Sequence, residues 1–137
     1  MIENKKGSIG PHNFCELELM LEDKKALAVF HAKDGMSSDA VGDKDFEKYV
    51  SNGKIIKYSR RIPDRPYELR CYCLPKEEWR AKLIMLVDEQ IYDKAFRATF
   101  SEADLVRMEG HLLGYSTDDI EFFIEKNVRK RMGKDEA

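Results

Sequence analysis

The segment from residue 54 to residue 74 most constrains how this chain can fold, because its pattern predicts a β-hairpin. In residues 67–74 the odd-numbered positions hold a tyrosine, a leucine and two cysteines, while the even-numbered positions begin with a glutamate and an arginine. A period of two predicts a strand. Residues 54–62 precede it across a turn bounded by Pro63 and Pro66, and we expect them to form its antiparallel partner.

A helix is predicted immediately after this hairpin. Pro75 suits the first helical position, and acidic residues follow in the first turn, where the helix dipole favours them. Two further helices are predicted, one that opens with a capping box at Ser101 and one over residues 116–131. In the first helix, apolar residues at helical spacing are expected to form the buried face: Trp79, Leu83, Leu86, Val87 and Ile91.

The N-terminal part is predicted to supply a second hairpin and a short helix. Residues 14–21 alternate and residues 26–32 form a short apolar run, so we interpret them as two strands joined by a polar turn. An amphipathic helix over residues 14–30 is the alternative, because several of its apolar residues also share a helical face. Asp43 is predicted to cap a short helix that ends near Gly53.

The predicted element order is β-β-α-β-β-α-α-α in a single α+β domain over residues 14–132. Strands this close in sequence pair without crossovers, so we expect a small antiparallel sheet of about four strands. The helices are expected to pack on one face and to leave the other face polar. Residues 1–13 are predicted to be a flexible leader and residues 133–137 a frayed tail. A chain of 137 residues is long enough for one hydrophobic core.

Charge and composition limit the classes of function. With 24 basic and 26 acidic residues the net charge is −2, so no global field favours nucleic acid or anionic lipid. No apolar run approaches the roughly 20 residues that cross a bilayer, and no secretory segment follows the first residues. We therefore expect a cytoplasmic protein without membrane contact. An odd number of cysteines fits free thiols in a reducing compartment.

The cysteines are expected to be core residues rather than metal ligands. In an extended strand the sulfurs of Cys71 and Cys73 lie about 7 Å apart, whereas sulfurs bound to one zinc ion lie roughly 3.8 Å apart. Cys15 is expected to be buried as well, as free cysteine often is. The chain also lacks a phosphate-binding glycine loop and a dinucleotide fingerprint. We predict no metal site and no cofactor.

Residues 53–80 are the only basic part of the chain, with 8 basic and 4 acidic residues. Arginine binds phosphates or carboxylates through two parallel hydrogen bonds, and tyrosine rings stack on bases. The hairpin at 54–74 is therefore a candidate binding surface, with nucleic acid or a nucleotide as ligand. The alternative is a solvated hairpin whose arginines pair with acidic helices. The candidate residues are Arg60, Arg61, Arg65, Arg70 and Tyr72.

Phe122 is predicted to lie on the outer side of the last helix. With Ile120 directed to the core, Phe122 is about 200° away around the helix, among charged residues. An aromatic side chain ringed by polar residues is typical of interface hot spots. The alternative is that the preceding helix covers it.

Taken together, the residues predict a small, non-catalytic protein-binding module of the accessory, inhibitor or immunity type. Its partner is expected to be another protein or a second copy of the same chain, with Phe122 as a contact residue and the arginines of the hairpin adding charge complementarity. Nucleic-acid binding is the second hypothesis. The third is a small enzyme that uses His31 and Asp34, which lie where a predicted strand meets a glycine-containing loop.

Overall fold

A computed structural model describes residues 15–129, and this part of the chain is α+β, as predicted. The predicted leader at 1–13 and the predicted tail at 133–137 lie outside the described residues. In chain order the elements are α1 (Glu16–Leu21), β1 (Leu27–Lys33), α2 (Ser38–Val41), α3 (Glu47–Ser51), β2 (Ile56–Arg61), β3 (Tyr67–Cys73), α4 (Glu78–Gln90), α5 (Lys94–Thr99), α6 (Glu102–Leu113) and α7 (Thr117–Phe123). Short 3-10 turns precede α3 and α4, and π-helical turns continue α7 over Ile124–Arg129.

The sheet has three antiparallel strands in the order β1-β3-β2, so that β3 is central. β2 and β3 form the predicted hairpin, with Arg61 opposite Glu68. β1 pairs with the other edge of β3, with Leu27 opposite Cys73. The segment that carries α2 and α3 therefore takes the chain from one edge of the sheet to the other.

The prediction of four strands is wrong, because residues 16–21 form helix α1. A strand here would direct Leu17, Leu19 and Leu21 to one buried face. The structure instead buries Met20 and exposes Leu21. The helix places Met20, with half-buried Leu17, against the sheet, and this packing favours the helix over an alternating strand.

Helices cover both faces of the sheet, which corrects the expectation of helices on one face only. α4 and α6 pack on the face of β3 that carries the two cysteines, while α1 and α3 pack on the face that carries Tyr72. The ring of Tyr72 lies 4.4 Å from that of Phe46, between centroids. The first core contains Leu27, Ile62, Leu69, Cys71, Cys73, Ala81, Ile84, Met85 and Leu112. The second contains Met20, Ala28, Phe46, Ile55 and Tyr72.

Helix α4 turns a different face to the core from the one predicted. Its helical spacing is correct, but Trp79, Leu83 and Leu86 are exposed. Apolar residues occur on two sides of this helix, so periodicity alone cannot select the buried one. The choice is made by packing against the sheet and α6. The buried residues of α4 are Ala81, Ile84, Met85, Val87 and Asp88.

Helix α6 begins and ends where the sequence predicts, and α7 begins where it predicts, whereas the short helix α5 was not predicted. At the start of α6 the Ser101 hydroxyl accepts a hydrogen bond from the Asp104 amide, and the Asp104 carboxylate accepts one from the Ser101 amide, which confirms the capping box. Gly114 ends α6 in the left-handed region, with φ of 88°. The buried residues of the last helical segment, Ile120, Ile124 and Val128, form a third cluster against α6.

Gly110 allows α6 and α7 to approach closely. A Cβ atom at this position would lie 2.7 Å from Cγ1 and 2.8 Å from Cδ1 of Ile120, which is fully buried. We expect Gly110→Ala to lower the free energy of unfolding by about 1–3 kcal/mol through overpacking, although alanine gains about 1 kcal/mol in helix propensity. Urea denaturation measures the change. The double variant with Ile120→Val should lose less than the sum of the two single losses, and a fully stable Gly110→Ala variant would contradict the close contact.

Candidate functional site

A cavity of about 320 Å³ lies between the sheet, α4 and α6. Its volume is within the range of small-ligand pockets, and its wall combines apolar surface with a few ionisable groups, as such pockets do. The apolar and aromatic lining residues are Val29, Ile84, Ile91, Leu113, Tyr67 and Tyr92. The ionisable ones are His31, Asp88 and Glu109.

Strand and helix periodicity bring these ionisable side chains together. His31 lies two residues after Val29 on β1, so both side chains leave the same face of the sheet. Asp88 follows Ile84 by four residues on α4, so both face the sheet. Glu109 comes from α6. Sequence reasoning selected His31 but missed both acids, and it could not find Asp88 because it directed the other side of α4 to the core.

His31 and Asp88 form an ion pair at the cavity wall. The distance between His31 Nε2 and Asp88 Oδ2 is 3.4 Å, which is long for a hydrogen bond, and Oδ2 has no hydrogen-bond partner among residues 15–129. Asp88 is only 8% exposed. The neighbouring Asp88 side chain raises the pKa of His31, and burial opposes that rise. Burial, helped by the charge of Asp88, raises the pKa of Glu109.

Tyrosine rings form the rest of the cavity wall. The ring of Tyr67 packs edge-on against the imidazole of His31, with 5.1 Å between the ring centroids. Burial is the larger cause that raises the pKa of Tyr67, and a hydrogen bond with Tyr92 raises it further. The guanidinium carbon of Arg65 lies 3.7 Å from the ring centroid of Tyr92. Arg65, a predicted binding residue, therefore sits beside the cavity.

Two other predicted arginines contact acidic side chains of the chain itself. Arg60 pairs with Glu89 of α4 at 2.7 Å, and Arg61 pairs with Asp34 at 2.5 Å. Such exposed pairs contribute little to stability. These contacts do not favour the hypothesis of a His31–Asp34 site, because Asp34 pairs with Arg61 and His31 pairs with Asp88.

Arg70 and Tyr72 belong to a polar cluster centred on Asp43, which is 1% exposed. Both carboxylate oxygens of Asp43 accept hydrogen bonds from Arg70 Nη1, at 3.2 and 3.1 Å, and Oδ2 also accepts one from the Tyr72 hydroxyl at 2.6 Å. Arg70 Nε donates to Glu68 at 2.8 Å. Asp43 therefore anchors its loop to the sheet. The prediction that Asp43 caps the following helix is wrong for its side chain, which makes no capping hydrogen bond to the 3-10 turn that begins there. A binding role for Arg70 and Tyr72 stays a prediction.

Phe122 is exposed on α7, so the alternative in which the preceding helix covers it does not hold. It borders an open groove of about 490 Å³ together with Glu125, Lys126 and Arg129. Glu125 and Arg129 pair with each other at 2.6 Å. The surroundings of Phe122 are thus charged, as predicted, and its use as a contact stays a prediction.

The outer face of α4 carries a stripe of exposed apolar side chains. Trp79, Leu83 and Leu86 are 53%, 41% and 51% exposed, and their spacing of four and three residues places them on one side of the helix. The indole nitrogen of Trp79 donates to Glu77 at 3.0 Å, and the guanidinium carbon of Arg80 lies 4.7 Å from the Trp79 ring centroid. We call Trp79, Leu83 and Leu86 the α4 stripe.

Arg80 is itself fixed in place. It donates hydrogen bonds to the backbone oxygens of His111 at 2.8 Å and Leu112 at 3.2 Å, at the end of α6. The contacts of Arg80 therefore hold the Trp79 ring in a defined position on the surface. A fixed aromatic ring loses little conformational entropy when a partner covers it.

Comparison of the chain with protein-family models, with curated proteins and with solved structures found no match. Within residues 15–129, no three His, Cys, Asp or Glu side chains are grouped so that they could hold a metal ion. The same residues contain no helix whose length and apolar content would let it span a membrane. Function is therefore inferred from the α4 stripe and from the cavity.

Proposed function

We propose that this protein is a non-catalytic protein-binding module, and that it associates with a second copy of itself through the α4 stripe. The observation that supports this is the exposure of Trp79, Leu83 and Leu86 on one face of a helix. Removal of such surface from water favours association. Tryptophan and arginine are the residue types most enriched among interface hot spots, and here they are stacked on each other.

Charge complementarity favours a second copy as the partner. Lys82 and Glu89 fall on the same edge of the α4 stripe, and a two-fold antiparallel pair brings this edge against the same edge of the other helix. A register that sets Leu83 against the partner's Leu86 leaves Lys82 about 3 Å along the helix axis from the partner's Glu89. Opposite charges would then flank the apolar contact twice, with each Glu89 shared between Arg60 of its own chain and Lys82 of the other copy.

The wider proposal is an accessory, inhibitory or immunity-type role in the cytoplasm. Cys71 and Cys73 are free thiols buried in the first core, which is compatible with a reducing compartment. Nucleic-acid binding through residues 54–74 is not favoured by any contact, because each of the four arginines in question already touches an acidic or aromatic side chain.

The oligomeric state tests this proposal. We expect the full chain to form a dimer in sedimentation equilibrium between micromolar and millimolar concentration. Leu83→Glu would bring a charge to the centre of the contact in both copies, and we expect it to weaken the dimer about 100-fold. Leu21→Glu is the matched control, because Leu21 is a leucine of similar exposure on α1, away from the stripe.

The outcomes separate the alternatives. A wild-type chain that stays monomeric at millimolar concentration, or a dimer that Leu83→Glu and Leu21→Glu leave equally intact, overturns the second-copy proposal. Phe122→Ala is measured in parallel, since loss of the dimer in that variant alone would assign the interface to the groove on α7 instead.

A further inference from the structure

We propose that the cavity between the sheet, α4 and α6 binds a small organic cation, namely an ammonium, amidinium or guanidinium group attached to an apolar or aromatic body. This site goes beyond the association through the α4 stripe, which lies on the outer side of the same helix. It would select its ligand by charge and shape, without a chemical step.

The poorly paired oxygen of Asp88 is the first reason. Asp88 is 8% exposed and lines the cavity, and its Oδ2 has no hydrogen bond among the described residues beyond the 3.4 Å ion pair with His31, which is long for a hydrogen bond. A buried carboxylate oxygen without a good hydrogen bond is costly. A ligand N–H group in the cavity would supply a closer donor.

The charges that line the cavity are the second reason. Asp88 and Glu109 are both acidic, whereas His31 is the one basic lining side chain. The guanidinium of Arg65 lies on the ring of Tyr92 and is not among the lining groups. When His31 is neutral the two carboxyl groups face the cavity without a cation, and a cationic ligand would restore the balance.

The aromatic and aliphatic walls define the rest of the ligand. Tyr67 and Tyr92 add aromatic surface, with one face of the Tyr92 ring covered by Arg65, and Ile84, Ile91 and Leu113 offer apolar surface. A flat cation with an aryl body fits this mixture better than an inorganic ion. The absence of a three-ligand metal arrangement within residues 15–129 agrees with this choice.

Benzamidine tests the site, with benzamide as a neutral probe of nearly the same shape and benzoate as an anionic one. We expect benzamidine to shift the backbone amide resonances of His31, Asp88 and Glu109 in a nitrogen-correlated NMR titration. Benzamide is expected to bind at least about tenfold more weakly, because it lacks the charge that pairs with Asp88. Benzoate is expected not to bind.

Single substitutions test whether the carboxyl groups of the cavity bind benzamidine. Asp88→Asn keeps the shape of the side chain and is expected to weaken benzamidine binding about tenfold. Asp45→Asn is the matched control, since it makes the same change at an exposed aspartate that does not line the cavity. Glu109→Gln provides a second reading if Asp88→Asn does not fold, and it should also weaken binding.

Titration of the groups that face the cavity supplies a further check. Those groups are His31 from β1, Asp88 from α4, Glu109 from α6, and the phenols Tyr67 and Tyr92. Below the pKa of His31 its imidazolium competes with the ligand for Asp88, so benzamidine should bind more tightly at pH 8 than at pH 6. Equal binding of benzamidine and benzamide, resonance shifts that map outside the cavity, or no binding at millimolar probe would each overturn the proposal.

Discussion

Replacement of Asp43 by alanine is expected to lower the free energy of unfolding by about 3–5 kcal/mol. The carboxylate is 1% exposed and accepts three hydrogen bonds, two from Arg70 and one from Tyr72. Its removal leaves the hydroxyl of Tyr72 and part of a poorly exposed guanidinium without partners, and groups buried in this way carry their full desolvation cost. Glu68 remains beside Arg70, so we expect the loss to fall in the lower half of this range.

Two matched variants separate the polar cluster from general effects at this loop. Tyr72→Phe removes one hydrogen bond but keeps the ring against Phe46, and should cost about 1 kcal/mol. Asp45→Ala removes an exposed acid two residues further on, and should change stability by less than about 0.5 kcal/mol. Denaturant midpoints with unchanged slopes give the comparison. If Asp43→Ala unfolds as late as Asp45→Ala, the buried cluster does not hold this loop.

Local patterns predicted the elements whose signals arise from neighbouring residues. The hairpin at residues 54–74 follows from alternation and from its proline-bounded turn, and the start of α6 follows from Ser101 and Asp104. In both cases the contacts are local, because the two strands are joined by residues 62–66 alone and the capping residues are three positions apart, so short sequence patterns reveal them.

Long-range packing decided what the sequence could not. The leucines of segment 16–21 are compatible with a strand or with a helix. The segment forms a helix because Met20 then packs on the face of the sheet that carries Tyr72. On α4 two apolar sides compete, and contact with β3 and α6 selects the side that carries Ile84. The unselected side becomes the α4 stripe. The residues of the α4 stripe were thus predicted to be buried, since the spacing of apolar residues does not show which of two apolar sides of a helix faces the core.

The candidate site was predicted least well for the same reason. His31 could be selected from its residue type and its position on a strand, but its acidic neighbours come from α4 and α6. Asp34 was the nearest acid in sequence, whereas Asp88 is the acid that the fold brings close. The arginines of the basic hairpin likewise have partners on distant elements, such as Glu89 and Asp43. Charge counts along the chain do not reveal such pairs.

Lys25 is expected to make stability depend on pH, because its ammonium group is buried at the end of α6. Lys25 is 4% exposed, and its Nζ donates to the backbone oxygen of Leu113 at 2.6 Å. Burial lowers the pKa of Lys25 to about 8. In the unfolded chain the pKa of lysine is about 10.4, so between these values the unfolded state binds more protons than the folded state. The cost of burying the ammonium group therefore falls as the pH rises, and the free energy of unfolding increases.

The Lys25→Met variant isolates this contribution. Methionine fills similar space without a charge, so the free energy of unfolding of the variant should exceed that of the wild type by most at pH 7. This difference in the free energy of unfolding should shrink by about 3 kcal/mol as the pH rises from 7 to 11. Cys71 and Cys73 act in the opposite sense, because burial raises the pKa of both thiols, but they are present in both proteins and cancel in the difference. Lys24→Met, which alters an exposed lysine paired with Glu22, should show no such trend. A constant difference across this range would mean that the folded protein holds the Lys25 proton as tightly as the unfolded chain does, and that the hydrogen bond to Leu113 offsets burial.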